Sequence, residues 1–188
     1  MTCIIHARRA GLRSSCDIVR AMKRALATVL IAAVCVLNWA VSVAAQSSSA
    51  DVLIRLAGNW RLVTFVNFDD KGAARDAGYE GGRIMYDAAG NMAAQLMRVN
   101  RKPLSQPSTE GERAAAYAGY VAYYGKVSID PAQSKVTHHV EGSTNPNWPK
   151  TDLVRYYEFS PDGKRLMLSI KNAQGRVTGT LTWERIDR

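Results

Sequence analysis

Beyond residue 45 the chain has no cysteine: Cys3, Cys16 and Cys35 all precede it. That absence excludes a disulfide framework, a thiolate metal ligand and a cysteine nucleophile from residues 46–188, so the fold there rests on its core alone. Histidine is scarce too, with three in the whole chain, and no phosphate-cradling glycine loop, nucleophile motif or metal-ligand spacing occurs; no metal or other cofactor is expected. The basic excess is smaller than it looks. The chain carries a formal +9, but six of its 25 basic residues and one of its 16 acidic residues lie in the first 45. The remaining 19 against 15 leave +4, without the concentrated basic stripe that nucleic-acid binding needs, so no nucleic-acid partner is expected.

What is present begins with a leader. Met22-Lys23-Arg24, an apolar run from Ala25 and a Val43-Ala44-Ala45 end have the pattern of a secretory signal peptide over residues 22–45. Cleavage after Ala45 is expected to leave a periplasmic or secreted protein with no stable membrane anchor. A transmembrane span is the alternative, since the run approaches membrane length, but Asn38 interrupts it. Residues 1–21 show no structural pattern and read as an upstream extension. Residues 46–52 read as a polar linker and 53–188 as one domain.

From Ala57 onward short strands alternate with turn signals, the pattern of an all-β fold. "GNWRLVTFVNF" (58–68) is a first strand with Trp60, Leu62, Thr64, Val66 and Phe68 on one face. "GGRIMYDAAGNMAAQLMR" reads as a hairpin turning at Asp87-Ala88-Ala89-Gly90. Thr109 and Glu112 have capping-box spacing ahead of an alanine run, which predicts a short helix that lids or plugs one end of the sheet and ends at Gly119. Five more strands follow. About eight antiparallel strands in up-and-down order predict a barrel whose interior holds side chains or one small ligand.

Gly58-Asn59-Trp60 at the start of the first strand and Arg185 in the closing "LTWERI" resemble the Gly-x-Trp signature and facing arginine of lipocalins and related calycin barrels. With "GYVAYYGKVSID", "THHVEGSTNPNW" and "LVRYYEFSPDGKRLMLS", the chain resembles the bacterial and fungal lipocalin-like domain family over nearly all of residues 53–186. The resemblance implies a structural role for Gly58, Trp60 and Arg185, with the arginine covering the ring, and binding of a small hydrophobic or amphipathic molecule.

Adjacent His138 and His139 pose the sharpest local question. Successive strand side chains point to opposite faces, so one ring faces inward and the other outward, which argues against a shared metal site. His138 shares parity with Val136 and Val140 and is assigned inward. The same rule places Arg98, Tyr123, Arg155 and Tyr157 on inward faces. Arg98, Tyr123, His138, Arg155 and Tyr157 are therefore the candidate ligand-binding residues, and two arginines in an apolar cup need a partner or an anion. The alternative has both arginines at the barrel mouth, their heads in water and paired with Glu158 or Glu80. Three functions stay open. These are binding of an apolar or amphipathic ligand, with a carboxylate as one option; an isomerase or cyclase using His138 and Tyr123 for proton transfer; and a structural envelope protein with a filled barrel. No catalytic residue is assigned, and the oligomeric state is not fixed by the sequence.

Overall fold

Turns rich in glycine, aspartate and asparagine cut the chain into nine strands, and a computed structural model describes residues 47–186. The expected leader (22–45) and upstream extension (1–21) lie outside the described residues. The strands are β1 (Gly58–Phe68), β2 (Ala74–Asp76), β3 (Tyr79–Tyr86), β4 (Asn91–Arg98), β5 (Tyr120–Asp130), β6 (Lys135–Ser143), β7 (Asp152–Phe159), β8 (Arg165–Lys171) and β9 (Val177–Arg185). Each of β3 to β9 pairs antiparallel with the next, β1 pairs with β3, and β9 returns to β1. Eight strands thus close the barrel the sequence predicts, and the short β2 adds an extra strand on the far half of β1. The β3–β4 turn shows how the register is held. The Asp87 carboxylate accepts the N–H groups of Ala89 and Asn91 at 2.9 and 2.8 Å, and Gly90 supplies the left-handed φ of +81° that closes it.

One strand departs from simple alternation. The β1–β9 register shifts between Leu62 and Thr64, so Val63 is the extra residue of a bulge and parity reverses beyond it. Phe65 therefore packs against the core while Thr64 is exposed, correcting the reading that put Thr64 on the apolar face.

The barrel is sealed at the end where β1 begins and β9 ends. Helix α1 (Ser49–Leu56) is capped reciprocally: the Ser48 hydroxyl accepts the Asp51 N–H at 3.1 Å, and the Asp51 carboxylate accepts the Ser48 N–H at 3.0 Å. Its Val52 and Leu56 are buried, and burying two such side chains contributes on the order of 3–6 kcal/mol together. Part of this helix falls within residues 46–52, where the polar "QSSSA" suggests a linker. Trp60, fully buried, donates its indole N–H to the Leu56 carbonyl at 2.8 Å. The Arg185 guanidinium lies 4.0 Å from the centroid of Trp60 and donates to the carbonyls of Ala57, at 2.8 Å, and Arg55. Gly58 is required between them. Its φ is +127°, and a Cβ there would stand 2.7 Å from the Arg185 Nη1.

Helix α2 (Glu110–Ala118) forms where Thr109 and Glu112 predict it, with both capping-box bonds made and Gly119 as its C-cap. Four hydrogen bonds, from the side chains and backbone N–H groups of Ser105 and Thr109, hold the Glu112 carboxyl down at about 2. The helix buries none of its residues, so it lies beside the barrel mouth and does not plug it. Its link to the wall is the Tyr117 hydroxyl, which donates to the Thr144 carbonyl at 2.7 Å.

Candidate functional site

Alternation on β6 turns His138 into the barrel, where it is fully buried, and leaves His139 on the outer surface. Two tyrosines meet the buried ring. The Tyr86 hydroxyl, from the end of β3, is 2.9 Å from its Nε2, and the Tyr123 hydroxyl, from β5, is 3.1 Å from its Nδ1. Burial, assisted by the charge of Arg155 and then His139, pushes the His138 pKa down to about 3, so the imidazole is neutral at physiological pH. Burial also raises both tyrosines, that of Tyr86 well above its ordinary value, and Arg155 opposes the rise at Tyr123 by charge and polar contact.

Above this polar cluster lies an interior cavity of about 260 Å³. Its walls are mostly apolar, with Phe65, Ile84, Leu96, Val121 and Leu168 among them, and Tyr123 and Arg155 supply a polar corner. Among the described residues no Asp, Glu, Asn, Gln or His lines it. Arg155 gives one N–H to the Val154 carbonyl at 2.8 Å, and among the described residues no carboxylate stands within ion-pair distance of it. The alternative pairing of Arg155 or Arg98 with Glu158 or Glu80 does not occur among the described residues.

The remaining candidates lie elsewhere. Arg98 shares the inward parity of Met92, Ala94 and Leu96, but it is the last residue of β4 and its side chain is exposed. It stacks 4.6 Å above the Tyr79 ring and donates to the Ala77 carbonyl at 3.1 Å. The inward assignment of Arg98 is thus corrected: parity holds, but the strand ends before the head reaches the interior. Tyr157 packs against Phe159, 5.7 Å between centroids, outside the cavity lining. His139 bonds Asp152 at 2.7 Å and Ser128 at 2.8 Å on the outer face, and among the described residues no cluster of three metal-ligating side chains exists.

Residues 57–186 match the family model described as a lipocalin-like domain. The chain belongs to the lipocalin-like domain family. A lipocalin-like barrel is, at a general level, an architecture that binds small hydrophobic ligands. No curated protein matches the chain. Among solved structures, a redesigned beta barrel is 12% identical, with a TM-score of 0.39, covering 72% of this chain and 95% of that one.

In this lipocalin-like protein three cavity or relay residues escape parity reasoning on the candidate strands. Trp148 comes from the Asn-Pro-Asn-Trp-Pro loop, lines the cavity and meets the Tyr123 ring edge-on at 5.7 Å. Trp183, from β9, also lines it. Tyr86 ends β3, as the hairpin reading has it, on a strand that is not among the candidates for inward residues. A larger cleft of about 550 Å³ lies outside the barrel, between residues 98–104 and α2. It is walled mostly by exposed residues, and its Arg101 already donates to the Ala116 carbonyl at 3.3 Å. The interior cavity, with an arginine that lacks an anionic partner among the described residues, is the stronger candidate.

Proposed function

We propose that this protein binds a small amphipathic molecule, apolar along its length and ending in a carboxylate, inside the barrel. The observation that carries the reading is Arg155: a guanidinium beside an apolar cavity with no carboxylate to pair with it among the described residues. Arg155 is only partly buried, so water meets part of its charge, and a carboxylate entering the cavity would supply the ion-pair partner it lacks among the described residues. An interior volume of about 260 Å³ supports a binding role over a filled barrel. Since roughly 150 Å³ accommodates the six carbons of benzene, the ligand has about ten non-hydrogen atoms, a short or medium acid rather than a long-chain one. We further propose that the protein works outside the cytoplasm. The support is the leader pattern over residues 22–45, and a mature N-terminus near Gln46 in the periplasmic or secreted fraction is the expected finding. An intact leader in the cytosol contradicts it.

The test of the ligand is a calorimetric titration of octanoate against octanol. A guanidinium takes a carboxylate in two parallel bonds, and a charge-assisted bond contributes about 1.5–3 kcal/mol, roughly tenfold to a hundredfold in affinity. Wild type is expected to prefer the acid by that factor, and Arg155→Met to bind both alike. Equal affinities in wild type reject the reading.

A further inference from the structure

We infer that Tyr86 and His138 are specificity-determining positioning residues: they hold the His138 ring in its Nδ1–H form and so oblige the Tyr123 hydroxyl to donate into the cavity. This rests on the proposed carboxylate-binding role and adds the reason an alcohol is discriminated against. The argument is a count of protons. Tyr86, neutral His138 and Tyr123 each carry one polar hydrogen, and the chain Tyr86–His138–Tyr123 uses two of them in its two contacts. The third must leave by one end.

The two ends are not equivalent. If Tyr123 donates to Nδ1, then Nε2–H donates to Tyr86, and the Tyr86 proton is left over. Tyr86 is 4% exposed, and among the described residues its hydroxyl has no partner except His138. A buried donor without an acceptor is the costlier arrangement. If Tyr86 donates to Nε2 instead, Nδ1–H donates to the Tyr123 oxygen and the spare proton is on Tyr123. That residue lines the cavity, and its neighbour there, Arg155, can only donate. Tyr123 is itself buried, at 7% exposed, but the cavity gives its spare proton water or a ligand to donate to. Arg155 and Tyr123 then form a corner of donors alone, and Trp183, another lining residue, has a buried indole N–H without an acceptor among the described residues. A carboxylate offers acceptors only and suits such a corner. An alcohol brings a proton of its own and satisfies fewer of these donors.

Long-range proton–nitrogen correlation spectra of the His138 ring in the unliganded protein test the tautomer without any ligand. A protonated Nδ1 and a bare Nε2 are expected; the opposite tautomer overturns the inference even if Arg155 governs acid binding. Octanoate and octanol titrations of Tyr86→Phe and Tyr123→Phe complete the test. Tyr86→Phe is expected to populate both tautomers and to lower the acid-over-alcohol ratio several-fold, and Tyr123→Phe to lower it about tenfold. An unchanged ratio in both variants refutes the positioning role. Loss of the ratio in Arg155→Met alone leaves the carboxylate reading standing without it.

Discussion

Lowering the pH should destabilise the barrel through one ring. In the folded protein burial pushes the His138 pKa down to about 3, against 6.5 for an ordinary histidine. The unfolded chain therefore takes up a proton at His138 as the pH drops below about 6.5, while the folded protein does not until about 3. His138 costs nothing in stability above that window, and the loss grows by about 1.4 kcal/mol per pH unit within it. Near pH 5 the loss is roughly 2 kcal/mol, and across the window it approaches 4–5 kcal/mol, a large share of a typical domain's total. The groups facing the ring, Tyr86 on β3, Tyr123 on β5 and Arg155 on β7, offer no carboxylate to stabilise an imidazolium. The assay is urea unfolding of wild type and His138→Gln between about pH 7.5 and 4. The variant is less stable at neutral pH, but the gap between the two should close as the pH falls, since glutamine does not titrate. A gap that stays constant refutes the reasoning, because His138 is the one titratable group that the two proteins do not share.

The sealed end of the barrel gives three further expectations. Trp60→Ala and Arg185→Ala should each destabilise, and a double-mutant cycle in denaturant should show the pair losing less than the sum, since the ring and guanidinium touch. Leu56→Ala should cost about 2–5 kcal/mol by the same measurement, because α1 closes the core with that side chain. Gly58→Ala should cost more than an ordinary surface change, through the left-handed backbone and the Arg185 contact. On the outer wall, His139→Gln should shift stability within about 0.5 kcal/mol, and added zinc should leave the melting temperature unchanged in both forms.

Alternation carried much of this architecture into the sequence. Val136, His138 and Val140 face inward as their spacing demands, and the Thr109–Glu112 box marks α2 at its first residue. Where the reading departed from the structure, the cause lies in what a period of two cannot encode. A bulge at Val63 reverses the parity of β1 in mid-strand, and nothing in "RLVTF" announces it. Arg98 keeps its parity but sits where the wall ends, so depth along the strand, not face, decides its environment. Helix α1 carries two signals, the Ser48–Asp51 spacing and the four-residue interval of Val52 and Leu56, yet an eight-residue helix behind a serine run resembles a linker. Tyr86 meets His138, and Trp148 and Trp183 meet the cavity, across the barrel, and strand-by-strand reasoning does not reach such contacts.

The central claim is that the barrel interior, at Arg155 and Tyr123, receives the acidic end of a small ligand. A crystal soaked with a bromine-tagged six-carbon acid tests it most directly, because anomalous scattering locates the bromine and the difference map locates the carboxylate. The account predicts bromine among Phe65, Leu96 and Leu168, with the carboxylate on the Arg155 guanidinium and the Tyr123 hydroxyl. Bromine in the outer cleft beside residues 98–104 and α2, or nowhere on the protein, contradicts it.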